Sequence, residues 1–269
     1  MTFSKKVSVV VITARADPGF LELAQSIQRS TYQNLELILV DRLKKQREET
    51  WAMACREAGI EFVHLEDNSI IGPCPASARN LGIKNASGEI IVCLDDLTTF
   101  DSAMIAQHVA RMELGFDAFA GSYIERIGGH ERFDTRPTDP RQDGGRWIAD
   151  RFYGMHMIFT KKAWEVVGGF DESFDGAYGW EDCDFGRRLF RAGLSIGWFP
   201  ELKVVCNKDR RHHLDTLHVG VKYHGEGTER DKNDEPATIL YGERVWKNDK
   251  LILLNDQLKV VKGGQANEK

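Results

Sequence analysis

Hydrophobic residues follow two rhythms along this chain. Short, nearly unbroken apolar runs have the length and β-branched content of buried strands: "VSVVVIT" (Val7 to Thr13), "LELILV" (Leu35 to Val40), "IEFVHL" and "EIIVCL" (Glu89 to Leu94). Between them apolar residues recur at helical spacing, as at Phe20, Leu23, Ala24 and Ile27. Asp17 is the expected cap of that helix and Pro18 its expected first residue. Further helices are predicted around residues 48–58 and from about Ala76 to Lys84. Strand alternating with helix in this way predicts an α/β fold with a mostly parallel, doubly wound sheet. Such sheets bind ligands beyond the carboxyl ends of their strands, where Thr13, Asp41 and the pair Asp95-Asp96 fall.

Past residue 100 the pattern loosens. A predicted helix over 102–114 and a strand near Phe119 to Ile124 lead into "GGHERFDTRPTDPRQDGGR". Its glycines, prolines and charges read as a loop over the surface or over a site, plausible as an acceptor-side lid. After it come "GMHMIFT", a predicted helix over 161–167 ended by Gly168-Gly169, and "GAYGWEDCDFGRR", which looks like the opening turn of another helix. "LSIGWFPELKVV" is expected to be two short strands broken at Pro200, and "HGEGTERDKNDEP" (His224 to Pro236) is polar enough to be mobile without a ligand.

Composition narrows the classes. The 269 residues suffice for one large α/β domain that needs no disulfide or metal to hold its core. With 36 Lys and Arg against 41 Asp and Glu, the net charge of −5 offers no general attraction to nucleic acid or to an anionic membrane. Cys55, Cys74, Cys93, Cys183 and Cys206 are odd in number and lack C-x-x-C spacing, so free thiols in a reducing compartment are expected. No signal-peptide pattern opens the chain and no window approaches 18 uninterrupted apolar residues, so the expectation is a soluble, cytoplasmic protein without a transmembrane segment.

The candidate chemistry lies in two acidic motifs. Adjacent carboxylates at a strand end repel each other unless a cation sits between them, and Mg²⁺ or Mn²⁺ takes one or two carboxylates together with substrate phosphates. Asp95-Asp96 fits that description, although one acid capping a helix and one solvated would also account for the pair. In "PASARNLGI", Arg79 lies near a helix start, where an arginine can reach a phosphate or a base edge. Glu181, Asp182 and Asp184 crowd the first turn of a predicted helix behind Trp180. The helix macrodipole favours acids there, so capping alone explains part of the cluster.

Taken in order, "VSVVVIT", "TYQNLELILVD", "SARNLGI", "ASGEIIVCLDD" and "GGFDESFDGAYGWEDCDFGRRLFRAG" resemble a family 2 glycosyltransferase with the Rossmann-like GT-A fold, over residues 7 to about 200. Such enzymes move a sugar from a nucleotide-sugar to an acceptor hydroxyl. The resemblance implies that Thr13 and Asp41 line the nucleotide pocket and that Arg79 supports it. It implies Asp96 as a direct metal ligand and Asp95 towards the sugar or ribose. Glu181 and Asp182 match the acidic pair beside the acceptor, with Asp182 as general base of an inverting transfer. Glu181 would then bind sugar hydroxyls, Trp180 offer an apolar face to a sugar ring, and Asp184 act as a structural cap or pair with Arg187 or Arg188.

Three departures qualify the resemblance: Leu97 stands where many members have a further Asp, Arg42 where many have a second Asp, and Cys206 where relatives often have a metal-binding His. Of the later histidines, His224 is the preferred candidate to complete a metal shell, ahead of His218. The expected division is residues 1–105 for the nucleotide-sugar, 106–225 for the acceptor and catalysis, and 226–269 as a C-terminal extension. The expected donor is a UDP-hexose and the cofactor Mn²⁺ or Mg²⁺. The acceptor is a hydroxyl of unknown class, met by the 126–150 loop and by residues around Gly154 to Met157. A binding module that has lost turnover is the alternative, and a nucleotidyltransferase ranks below it, because "TARADPGF" is not a glycine- and lysine-rich loop.

Overall fold

Strand β1 (Val7–Thr13) sends Val7, Val9 and Val11 into one apolar layer and Val10 into the other. The same alternation runs through β2 (Leu35–Asp41) and β4 (Ile90–Asp95), where Leu37, Leu39, Val92 and Leu94 face the first layer and Ile38, Ile91 and Cys93 the second. A strand apolar on both sides must be covered on both, which is why these segments read as continuous hydrophobic runs. The computed structural model describes residues 5–68, 74–134, 151–178, 180–209 and 222–223. In it α1 (Phe20–Gln28), α2 (Lys44–Glu57) and α4 (Met104–Glu113) cover the first face. The second is covered by α3 (Pro75–Lys84), α5 (Lys161–Val166) and α6 (Glu181–Arg191).

Among the described residues the sheet has nine strands. Strand β3 (Glu61–Glu66), β2, β1 and β4 run parallel in that spatial order, as expected of the first half. Beyond β4 lies β8 (His156–Thr160), antiparallel to it, then β6 (Ala118–Ile127), then β10 (Ile196–Asn207), parallel to β6, and last the short β5 (Thr98–Thr99). A small parallel pair joins β9 (Ala177–Tyr178) to β11 (Lys222–Tyr223). Helix α6 is seated by Phe185 and Leu189, both fully buried; Phe185 stacks on Phe170 at 4.3 Å and meets Phe159 edge-on at 5.0 Å. Cutting such a ring back to alanine costs about 3–5 kcal/mol.

Three local expectations change. Helix α1 starts at Phe20 behind Gly19 at φ 63° with no side-chain cap, and Asp17 accepts the Gly19 N–H at 3.3 Å. Asp17 therefore closes a turn and does not cap the helix. The first residues of the expected loop form a hairpin instead: Gly128 and Gly129, at φ 58° and 75°, turn β6 into β7 (His130–Phe133), because two residues of positive φ match the twist of the flanking strands. Finally, β10 passes through Pro200 as one strand, absorbing the missing N–H in a register shift between Phe199 and Lys203. Residues 135–150, the segment 224–236 and the extension 226–269 lie outside the described residues.

Candidate active site

The three strand ends meet in a polar cluster above the parallel half of the sheet. Thr13, last residue of β1, donates its hydroxyl to Asp96 Oδ2 at 2.7 Å. Arg15 follows on the same loop and places Nε 2.9 Å from Asp96 Oδ1 and 2.8 Å from Oδ2. Burial, reinforced by Asp95 next door, pushes the Asp96 carboxyl up; Arg15 and Thr13 oppose this without reversing it. Asp41, the last residue of β2, is fully buried. Arg47 grips it with two bonds of 2.8 and 2.6 Å, the Leu43 N–H donates at 2.8 Å and His64 Nε2 lies 3.0 Å away. Burial alone would raise this carboxyl, but His64, Arg47 and Leu43 outweigh it and hold it below the usual range. Arg47 also donates to the carbonyls of Arg15 and Ala16 and lies over the Trp51 ring at 4.1 Å, so Asp41 shapes the loop that carries Arg15. Arg42 is turned aside to Asp67, with which it makes bonds of 3.1 and 2.9 Å.

The second acidic motif sits at the first turn of α6. Its entry is strained: Trp180 has φ 78°, the single non-glycine residue at positive φ among the described residues. Such a conformation costs of order 1–3 kcal/mol and is concentrated at functional sites. Arg79 reaches over from α3 and lays Nη1 2.5 Å from Glu181 Oε1. Glu181 is 4% exposed, and its other oxygen has no hydrogen-bond partner among the described residues. Asp182 is half-buried and accepts the Gly154 N–H at 2.7 Å and its neighbour Cys183 N–H at 2.8 Å. Burial pushes its carboxyl up to about 6; Glu181 adds to the rise, while Arg79 and the two N–H groups restrain it. The expected ion pair of Asp184 is present, to Arg188 at 2.7 Å.

Arg79 is where the two motifs meet. Its buried guanidinium is disfavoured by desolvation but stabilised by Glu181 first, then by Asp182 and, more weakly, by Asp95. Neighbouring Asn80 fixes α3 to the motif leading into α6, donating to the Phe170 carbonyl at 2.8 Å and accepting the Phe170 N–H at 2.9 Å. Asp175, in that motif, accepts the Ala76 and Ser77 N–H groups and so caps α3 from a distance of 99 residues in sequence.

A divalent cation at Asp95-Asp96 would need oxygen ligands to spare. Both Asp96 oxygens already accept from Thr13 and Arg15, and Leu97 is buried at 3% exposure. Cys206 stands close to the acids, as the alignment of motifs suggests, but burial first, then Asp95 and Asp96, push its thiol up to about 12, so it stays protonated. Among the described residues no group of three or more His, Cys, Asp and Glu could hold a metal ion, and His224 lies outside them. Among the described residues the oxygen ligands fall short of a full shell for a hard cation. Sequence patterns missed Arg15, Arg47, His64 and Lys208, because charged side chains in loops and helices read as solvated until a partner distant in sequence is known. Only Gly154, already flagged with its stretch, had a local signal.

All five cysteines are free and buried, and no helix among the described residues is long and apolar enough to cross a membrane. An uncharacterized glycosyltransferase of Bacillus subtilis, YwdF, is 32% identical over 133 residues, which take in 49% of this chain and 46% of YwdF. A second uncharacterized glycosyltransferase, from Rickettsia conorii, is 29% identical over 133 residues, 45% of this chain and 21% of its own length. The chain thus matches less than half the length of either relative. In fold it resembles residues 1–349 of S. aureus TarS in complex with UDP-GlcNAc, with TM-score 0.66 at 16% identity over 87% of this chain and 65% of that one. It also resembles the mannosyltransferase PcManGT of Pyrobaculum calidifontis in complex with GDP-Man and Mn²⁺, with TM-score 0.59 at 21% identity over 79% and 59%. Glycosyl transferase family 2 matches residues 8–192, more than half of the sequence, and the chain belongs to that family.

Proposed function

We propose that this glycosyltransferase moves a sugar with inversion from a nucleotide-diphospho-sugar to an acceptor hydroxyl, with Asp182 as the base. The carrying observation is the state of Asp182: a carboxylate aimed by two backbone N–H groups, with its pKa raised to about 6 beside Glu181. A base poised near the working pH is ionised yet basic enough to take a proton. The acceptor oxygen bonds to the anomeric carbon while the bond from that carbon to the diphosphate breaks. The electron pair leaves with the nucleotide, and the hydroxyl proton passes to Asp182. Glu181, with one oxygen on Arg79 and the other unpartnered among the described residues, accepts from sugar hydroxyls. Residues 1–105 take the donor and 106–225 the acceptor. Metal assistance was the expectation from sequence, and PcManGT was captured with Mn²⁺. The described residues do not by themselves complete a cation shell.

Binding of UDP-GlcNAc by TarS supports a nucleotide-sugar donor, and UDP-hexoses are the first to test. A thermal-shift panel of nucleotide-sugars identifies the donor, since a ligand of the native state raises the melting temperature. Proton NMR of the product then reads its anomeric configuration. A product of opposite configuration supports the proposal, and a retained one overturns inversion. Donor binding without any release of nucleotide would favour the binding module, to which Leu97, Arg42 and Cys206 point.

A further inference from the structure

Helix α3 touches both the parallel strands and the chain that leads to the second acidic motif. On the sheet side, a Cβ on Gly82 would lie 2.6 Å from Val10 Cγ1 and 3.2 Å from Val40 Cγ2, so the helix lies tight on the strands that end in Thr13 and Asp41. On the other side it holds the approach to α6 at several points. Asp175 accepts the Ala76 and Ser77 N–H groups at 3.0 and 3.1 Å, and Arg79 meets Glu181. Asn80, 4% exposed, uses its whole hydrogen-bonding capacity there. Its Nδ2 donates to the Phe170 carbonyl at 2.8 Å and to Glu172 Oε1 at 2.9 Å, while its Oδ1 accepts the Trp164 Nε1–H at 3.1 Å and the Phe170 N–H at 2.9 Å. A buried amide satisfied on every side is rigid and specifies one arrangement of its partners. Arg188 of α6 clasps the same stretch of chain through the carbonyls of Val167 and Gly169, at 2.8 and 2.6 Å.

We propose that Asn80 is a positioning residue for the transfer, fixing the chain that enters α6 to α3 and thereby setting where Asp182 stands relative to the donor. The proposal rests on the reading of Asp182 as the base. A general base must come within hydrogen-bond reach of the proton it takes, and a misplacement of about 1 Å can cost about a hundredfold in rate. The two neighbours on α3 divide the work. Arg79 holds Glu181 at the motif itself, whereas Asn80 holds Phe170 through both its N–H and its carbonyl. The Phe170 ring stacks on fully buried Phe185 at 4.3 Å. Phe185 and Asp182 are i and i+3 neighbours on α6, so a shift of Phe170 is carried to the base by ring packing and a rigid helix turn.

A double-mutant cycle tests it. Turnover, nucleotide-sugar affinity and melting temperature are measured for the wild type, Asn80→Asp, Asp182→Asn and Asn80→Asp/Asp182→Asn. Asn80→Asp keeps the shape of the side chain, but it withdraws both donated bonds and sets a like charge against Glu172. Expected is a kcat lower by about tenfold or more with donor affinity near wild type. No further loss is expected when Asn80→Asp is added to Asp182→Asn, because a base already removed cannot be misplaced. Asn80→Asp/Glu172→Gln, in which an amide again faces a carboxylate, should regain part of the rate and serves as the folded variant should Asn80→Asp not fold. A lower melting temperature with wild-type kcat makes Asn80 merely structural and overturns the proposal. So does an Asn80→Asp penalty of equal size with and without Asp182→Asn, which leaves the base assignment standing. Wild-type turnover in Asp182→Asn overturns the base assignment and the positioning role together.

Discussion

Arg79 and Glu181, 102 residues apart in sequence, are joined through Nη1 and Oε1 at 2.5 Å, and both are at least nine-tenths buried. This pair connects the helix after β3 to the helix that carries the proposed base. Breaking a buried ion pair on one side strands the other charge. Arg79→Met should therefore destabilise the protein by about 3–5 kcal/mol in denaturant unfolding. The guanidinium also restrains Asp182. Where the variant folds, the acid limb of the rate profile should move to higher pH; an unmoved limb would separate Arg79 from the base.

Asp182→Asn keeps the shape of the side chain and removes its basicity. Turnover should fall by roughly a hundred- to ten-thousand-fold while calorimetry shows donor affinity near normal. If Asp182 were only a helix cap, asparagine would serve almost as well and turnover would hold. Normal turnover at normal stability would sink the mechanism.

The raised pKa of Asp182 also predicts a pH dependence. Wild-type rate should drop as pH falls through about 6, because the base becomes protonated. Stability runs the other way. A carboxyl whose folded pKa exceeds its unfolded value favours the fold while protonated, and that contribution is lost as pH rises through about 6. The melting temperature of the wild type relative to Asp182→Asn should accordingly decline between pH 5 and 7, in differential scanning calorimetry, by a few degrees at most.

Gly154 is held to glycine by its neighbours. A Cβ there would lie 2.0 Å from Arg79 Nη2 and 2.7 Å from its Cζ, while the Gly154 N–H aims Asp182. Gly154→Ala should push the guanidinium off Glu181 and lower kcat by about tenfold or more, with donor affinity changed less, as loss of positioning predicts. A kcat equal to wild type would show that Asp182 is aimed by other groups.

Away from the site, His108 is buried against His156, their Nε2 atoms 3.0 Å apart. Burial, then His156, hold His108 well below its ordinary pKa. A histidine kept neutral by the fold contributes stability above its unfolded pKa that is lost as pH falls. Urea unfolding should show the wild type weakening from about pH 6.5 downwards, and His108→Gln should flatten that slope. An equal slope in both would place the acid sensitivity elsewhere.

Local patterning determined much of this protein. Runs such as "VSVVVIT" and "EIIVCL" could be satisfied only by strands covered on both faces, and the acids after them had to emerge at strand ends. Glu181 and Asp182 at a helix start, and Asp184 with Arg188 one turn on, were legible for the same reason: helical spacing relates neighbours in sequence. Tertiary structure decided what those acids touch. Glu181 meeting Arg79, Asp182 meeting Gly154, Asp41 meeting Arg47 and His64, and Asp95 meeting Lys208 across 113 residues are pairings that no period encodes. They depend on strand order, which brings β10 beside the β4–β5 turn, and on helices packed over one face, which bring α3 beside α6. Hydrophobic periodicity reports which side of an element is buried; the partner waiting on that side is set by how the layers close.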